Sequence, residues 1–570
     1  MKARDEQQPS LDQSTIRGLT RRIRMRWNSP LLEDAYLVLV AQERHLTTNS
    51  DAHRVWSSAS LFLGREIHSN GNIQARIKSW LDLCRQKHCV SCTAPRGKTK
   101  RKFDDLLEHS YFGVIDVLNM QLTELPVDRE SGPAPYAALS YVWGTTPTFT
   151  STLKNINLLR MHGGLETKLD SLPVVIRDAI DLVRRLGLQF LWIDSLCITQ
   201  DSPKSWKLNA YSMDTIYGNA ELTICAADGV DASTGLVAMR PPATMTSPTA
   251  ADCGPGVRLM ITRPPEMYIQ ASKWNTRAWT FQERILSRRC LIFINGRVYY
   301  QCRATGMSED IYADREGAGW SLDLVDAPLQ MWKQLSDRSF WVYMNVARLY
   351  SSRQLTHLKD ISAAFSGIAN MMECTMSAPF AFGLPTSHFD LALLWRHPGT
   401  VNRRIPRGSD ETSDYNGLQF PSWSWMGWTG SSTTYEQDML RDCLDDPNEW
   451  LAMHTWVRWY IRDGRGDLRP LWTERGWKED KSKDVKWRGY TPERTSANMM
   501  TTHHSQRGRT DFTGFGDVPA SPRSASTVSS RESERTDREA GYVERTRSRR
   551  YLSKSRSRNG SRSRIKRGSW

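Results

Sequence analysis

No run in this 570-residue chain approaches the roughly 20 consecutive apolar residues that a membrane-spanning helix needs. The first twenty residues, MKARDEQQPSLDQSTIRGLT, hold no apolar core, so we expect no signal peptide and a soluble intracellular protein. Cysteine is too sparse for a disulfide framework. Of the 10 residues, Cys197, Cys225, Cys290 and Cys302 sit inside apolar segments, which suits a reducing compartment. There is no GxGxxG after a strand, no P-loop, no HExxH helix and no GxSxG elbow, and none of the 12 His stands in a nucleophile arrangement. The hydrolase and nucleotide-binding classes that carry those motifs therefore have no support.

What is abundant is tryptophan, 22 residues against 18 Tyr and 15 Phe, which suggests Trp-rich motifs filling cores or presenting flat surfaces. The net charge of +15 is unevenly placed. Gly541–Trp570 carries 11 Lys or Arg and one Glu, so the rest of the chain is only +5. This tail interleaves Arg with Ser and reads as a solvated, disordered extension. The rival reading gives it RNA phosphates, nuclear import or a Ser-phosphorylation switch, but no RRM, KH or zinc-finger pattern accompanies it.

Along the chain, residues 1–75 read as a polar leader with helical pieces and 76–110 as a helix and linker. At the end of that helix Cys84, His88, Cys89 and Cys92 raise the question of zinc. A closed site usually needs four ligands, most often two spaced pairs, and no second pair follows within reach, so we read a packed helix end with reduced thiols and no metal. FGVIDVL and YAALSYVWG are strand candidates. LPVVIRDAIDLVRRLG is a helix, with Pro173 near its start and Gly187 at its stop. Phe190–Ile193 is a strand buried on both faces, and Asp194 stands at its carboxyl end, where open parallel sheets bind ligands. PKSWKLNAYSMDTIYGNA brings Trp206, Met213, Ile216 and Tyr217 to one helical face, and AELTICAAD is another buried strand. This alternation predicts a parallel sheet with crossover helices. A short helix follows with Arg277, Trp279, Gln282 and Glu283, then a strand from Cys290. Residues 311–478 read as helical and Trp-rich, with FPSWSWMGW as a strand of alternating Trp, and 479–570 as the disordered tail.

Three blocks in order, YAALSYVWG, FLWIDSLCITQDS with MDTIYGNAELTICAA, and TRAWTFQERILSRRCLIF, make the chain resemble the fungal HET (heterokaryon incompatibility) domain over roughly residues 75–430, most specifically 136–295, with the domain itself at 111–310. The resemblance implies nonself recognition between fused cells that ends in growth arrest or programmed cell death. It also implies a likeness to the TIR domain, hence a flavodoxin/TIR-like α/β core that signals by self-association and in some members cleaves NAD. The expected partners are proteins or further copies of this chain, with no membrane, and the expected location is cytoplasmic, or nuclear under the tail reading. No cofactor is implied; NAD enters only as a substrate. For that reaction a carboxylate must stabilise an oxocarbenium-like transition state, and Asp194 and Glu283 are the candidates. Trp143 or Trp279 would stack on a flat ring, and Arg277 would meet a phosphate. The structural alternatives are that Asp194 caps the following turn, that Glu283 pairs with Arg277 or Arg284, and that both Trp fill core. One departure weakens the enzyme reading. TIR-like NAD hydrolases carry an acid shortly after a Trp on the helix behind the central strand, and here Trp206 is followed by Lys207, Leu208 and Asn209.

Overall fold

The computed structural model describes residues 22–25, 35–40, 63–67, 73–93, 98–240, 250–255, 257–312, 335, 338–376, 378–404, 420–436, 457–462, 466–471, 477–479, 490–492 and 542–544. The chain divides into two units, Met1–Trp450 and Leu451–Trp570.

The first unit is built on an eight-stranded mixed sheet. Its strands are β1 (Val114–Asp116), β2 (Gln121–Thr123), β3 (Tyr136–Ser140), β4 (Phe190–Trp192), β5 (Leu222–Ala226), β6 (Arg289–Ile294), β7 (Arg297–Cys302) and β8 (Gly306–Ser308), in the spatial order β8-β7-β6-β5-β3-β4-β1-β2. Four neighbours, β4, β3, β5 and β6, run parallel, as the strand–helix alternation predicts. The sheet is not wholly parallel as expected: β1 and β2 on one side, and β7 and β8 on the other, pair antiparallel. Tight hairpins make this possible, since Asn295 and Gly296 take positive φ between β6 and β7 and need no crossover. From β3 the chain moves to one side, to β4, and then returns across β3 to β5. That reversal makes the carboxyl ends of β3 and β5 a topological switch point, the position where open α/β sheets bind ligands.

Helix α1 (Ile73–Lys87) precedes the sheet, and α2 (Val174–Leu186) connects β3 to β4. In α2, Ile176, Ala179, Ile180 and Val183 recur at intervals of three and four and are all buried. Each large aliphatic side chain contributes about 2 kcal/mol by leaving water. Gly187 ends the helix at φ 81, a conformation that a Cβ would strain. Between β4 and β5 the single expected helix is two, α3 (Pro203–Ala210) and α4 (Met213–Asn219). The break at Tyr211 and Ser212 separates the predicted face: Met213, Ile216 and Tyr217 are buried, whereas Trp206 is exposed. Helix α5 (Ala278–Ile285) leads into β6, and α6 (Ser339–Ser351) and α7 (Ile361–Met376) follow the sheet. Helices α4, α5 and α7 pack on one another, and α1 packs on α2 and β7.

Two expectations fail. Before Ile73 the described residues are strands, not helical pieces. Arg22–Met25 and Ala35–Leu39 join Val257–Thr262 and Ala250–Gly254 in an antiparallel sheet, so pairing with a segment some 220 residues away overrides local propensity. FPSWSWMGW is not a strand of alternating Trp either. Ser424 caps a 3-10 turn at Trp425–Gly427 by accepting from the Met426 N–H at 3.0 Å, and only Trp428–Thr429 is extended. Trp425 fills the core beside Tyr350 and Phe365.

In the second unit Tyr460–Arg462 pairs with Leu468–Pro470 and with Tyr542–Glu544, and Trp477–Glu479 pairs with Tyr490–Pro492. Most of the expected disordered tail lies outside the described residues.

Candidate functional site

The carboxyl ends of β3 and β4 and the start of α5 bring three separate segments to one place. Strand β3 is apolar until its last residue, Ser140, and the chain leaves it through Tyr141, Val142 and Trp143. Gly144, at φ 86, then lets the backbone pass Asp231, whose Cβ would stand 2.5 Å from any Cβ at position 144. Strand β4 delivers Asp194, the first residue of a short helix to Cys197. Arg277 sits at the N-cap of α5, and Glu283 lies within that helix.

These residues are mutually bonded. The Trp143 indole Nε1–H donates to Asp194 Oδ2 at 2.9 Å, and the Ser195 backbone N–H donates to Asp194 Oδ1 at 2.7 Å. Tyr141 donates its hydroxyl to Ser195 Oγ at 2.9 Å, while its carbonyl accepts from the Arg277 guanidinium. Ser140 Oγ donates to Glu283 Oε2 and accepts from the Trp274 indole at 2.8 Å.

The electrostatics follow from burial. Glu283 is 3 % exposed, and desolvation pushes its carboxyl up to about 7, against the opposing pull of Arg277 and the Ser140 hydroxyl. Asp194 is half-buried. Desolvation raises it too, opposed first by Arg277 and then by the Trp143 hydrogen bond, and the Asp194 charge disfavours ionisation of Glu283. Arg277 therefore acts through space on both carboxyls while its guanidinium bonds the Tyr141 carbonyl.

Arg277 is held from behind by the chain that follows α6. Gln354 pairs with the strand-like backbone around Arg277: its N–H donates to the Thr276 carbonyl at 2.7 Å, and its carbonyl accepts from Ala278 at 2.8 Å. Arg353 donates to the Arg277 carbonyl at 3.1 Å and to Asn275 Oδ1 at 2.6 Å, and lies 4.6 Å from the centroid of the Phe281 ring. Residues well beyond the sheet thus position the cation.

Of the candidates, Asp194, Glu283, Trp143 and Arg277 come together. Trp279 is half-buried against the main core, apart from the hydrogen-bonded cluster around Asp194 and Glu283. Asp194 also does what the structural alternative expects, since Ser195 N–H bonds it at the turn. Glu283 does not pair with Arg284, which forms a bidentate pair with Glu266 at 3.0 and 2.6 Å. Ser140, Tyr141 and Trp274 belong to the cluster and were not foreseen. A hydroxyl closing an apolar strand, and a second Trp in the WNTRAW block, were the available signals.

Asn209 is fully buried. Its amide nitrogen donates to the carbonyls of Tyr111 and Ser205 at 3.1 and 2.9 Å, so its environment fits a donor and opposes a carboxylate. The part-exposed arrangement at Asp194 offers a carboxylate, a guanidinium and an indole at a switch point, a set suited to a flat ligand carrying phosphate.

Residues 136–283 match the family model described as Heterokaryon incompatibility protein (HET), about a quarter of the chain, so this segment is a HET domain. No curated protein and no solved structure matches the chain. Among the described residues, no helix is long and apolar enough to cross a membrane.

Proposed function

We propose that this HET-domain chain is a heterokaryon incompatibility effector that arrests growth or kills the fused fungal cell in which nonself is met. The observation that carries the reading is that the three sequence blocks of the domain meet in one cluster: Trp143 from the first, Asp194 from the second, Arg277 and Glu283 from the third. The core would be of the flavodoxin/TIR kind, and the domain would act by self-association. Exposed Leu153, Leu158 and Met161 on the connection between β3 and α2 support that mode. Gly163 N–H, donating to the Asn119 carbonyl at 2.9 Å, ties this connection to the turn carrying exposed Leu118. Induced expression of the full chain in a fungal host should stop colony growth, and the double variant Leu158→Asp, Met161→Asp should be monomeric by light scattering and harmless. A monomeric variant that still kills would overturn association.

The second reading is NAD hydrolysis, favoured by the part-exposed Asp194 carboxylate beside Arg277 and Trp143. In it Asp194 would face the oxocarbenium-like ribose, while Glu283, buried behind Ser140, would hold Arg277 in place. The full chain at high concentration would release nicotinamide from NAD, and Asp194→Ala would abolish release without lowering oligomer content. No release from folded, assembled protein removes this reading.

A further inference from the structure

A second polar cluster lies at the opposite end of the sheet. Helix α1 carries Cys84 in its last turn, and His88 and Cys92 follow at intervals of four. On a straight helix Cys84 and Cys92 would stand about 12 Å apart along the axis. The helix stops at Lys87, and His88, at φ −116 and ψ 20, begins a new short helix over Cys89–Cys92. The break turns the chain so that the buried Cys92 thiol interacts electrostatically with Cys84. Cys302, the last residue of β7, completes the group. Its Sγ lies 3.5 Å from His88 Nδ1, and Cys92 acts on it electrostatically from beside the group. The ligand atoms of Cys84, His88 and Cys302 all lie within 4.8 Å of one another. All four residues are buried.

The surroundings favour sulfur in its anionic form. Arg289 Nε donates to Cys84 Sγ at 3.3 Å, and the Thr305 N–H donates to Cys302 Sγ at 3.3 Å. Backbone and guanidinium N–H groups aimed at thiolates are the usual outer shell of a metal–sulfur site. Three thiols do not pair off as disulfides, and an imidazole among them has no role in one. Contrast the buried Cys225 and Cys290, which interact with each other but form no metal-ligand cluster among the described residues. The sequence left zinc unsupported because no second set of ligands follows within reach; Cys302, more than 200 positions downstream, supplies a ligand from elsewhere in the fold.

We infer that Cys84, His88, Cys92 and Cys302 bind one Zn²⁺ ion, which staples the end of α1 and the turn after it to the edge of the HET-domain sheet. Three thiolates and one imidazole form a closed tetrahedral set with no open position for catalysis, so the site is structural. Binding releases the three thiol protons to solvent and leaves a net charge of −1 on the site, which Arg289 offsets. The ligands flank the matched segment on both sides, so the ion would close the domain where its ends meet.

The test is elemental analysis of the full chain, purified without chelator and then dialysed with and without added zinc chloride. One tightly held zinc per chain is expected. His88→Cys should retain it, Cys302→Ser and Cys92→Ser should lose it, and Cys253→Ser, at an exposed thiol, should leave it unchanged. Cobalt substitution should give the visible absorption of a tetrahedral thiolate site. A folded wild-type chain that holds no zinc after zinc dialysis overturns the inference. So does a disulfide among Cys84, Cys92 and Cys302 found by mass mapping of unreduced protein, or zinc that Cys302→Ser retains. Because the wild-type stoichiometry and His88→Cys are read on folded protein, misfolding of the serine variants leaves the test decisive.

Discussion

The two clusters sit at opposite ends of one sheet and are built on different chemistry. At the carboxyl ends of the parallel strands, Arg277 acts through space on both Asp194 and Glu283, and both carboxyls are held above their ordinary range by desolvation. Cys302 pairs in register with Arg289, at the beginning of β6, so the thiol cluster lies at the amino ends. There the groups are soft and enclosed, and Cys84, His88 and Cys302 bring their ligand atoms within 4.8 Å of one another. Loops converge at the carboxyl ends of such sheets and keep part of their surface open, which suits ligand chemistry or switching. The amino end of this sheet instead receives α1, and what it gains is closure.

The largest effect that would sharpen this contrast is metal removal. Stripping zinc should cost about 4 kcal/mol or more, given the large binding energies of structural zinc sites, and lower Tm by about 10 °C. Calorimetry before and after chelation checks this, and an unchanged Tm in protein shown to have lost its ion would break the idea of a staple.

The carboxyl end should respond to pH instead. Folded Glu283 keeps a proton up to about 7 that the unfolded chain releases near 4.5. Its contribution to stability is therefore highest below pH 4.5, declines as pH rises towards 7 and is level beyond, a span of about 3 kcal/mol. Asp194, also raised, acts with the same sign. Glu283→Gln should flatten the decline, so that denaturation midpoints of variant and wild type diverge between pH 5 and pH 8 in the variant's favour. An equal slope in both would place the buried proton elsewhere.

A smaller change tests whether the missing acid matters. Asn209→Asp would set a carboxylate against the Tyr111 and Ser205 carbonyls and should cost about 2 kcal/mol in urea unfolding without creating nicotinamide release. Smallest is Trp143→Phe, which keeps the ring and removes the indole donor. It should cost about 1 kcal/mol and raise the Asp194 carboxyl further, as followed by carbon NMR titration; a lowered value would mean that the indole does not favour the anion.

Much of the carboxyl-end cluster was legible because each member sits in a short local signal. Asp194 closes an apolar run, Trp143 ends a strand block, and Arg277 and Glu283 share one helix. Ser140 and Trp274 escaped because nothing local distinguishes a buried hydroxyl that bonds a carboxylate, or an indole that bonds that hydroxyl, from one that fills space. The Arg277 buttress escaped for another reason: Gln354 and Arg353 act through backbone contacts that leave no residue-type signature. Likewise the strands at Arg22–Met25 and Ala35–Leu39 depend on a partner strand far along the chain.

What the amino-acid order determined by itself is the four-strand parallel core, its helix spacing and the identity of the residues at its carboxyl ends, since periodicity and caps act within a few residues. Only the tertiary structure decided the mixed edges of the sheet, the action of Arg277 on two carboxyls and the meeting of Cys302 with Cys84 and His88. Those depend on which distant segments pack together, and no local propensity encodes a contact across two hundred residues.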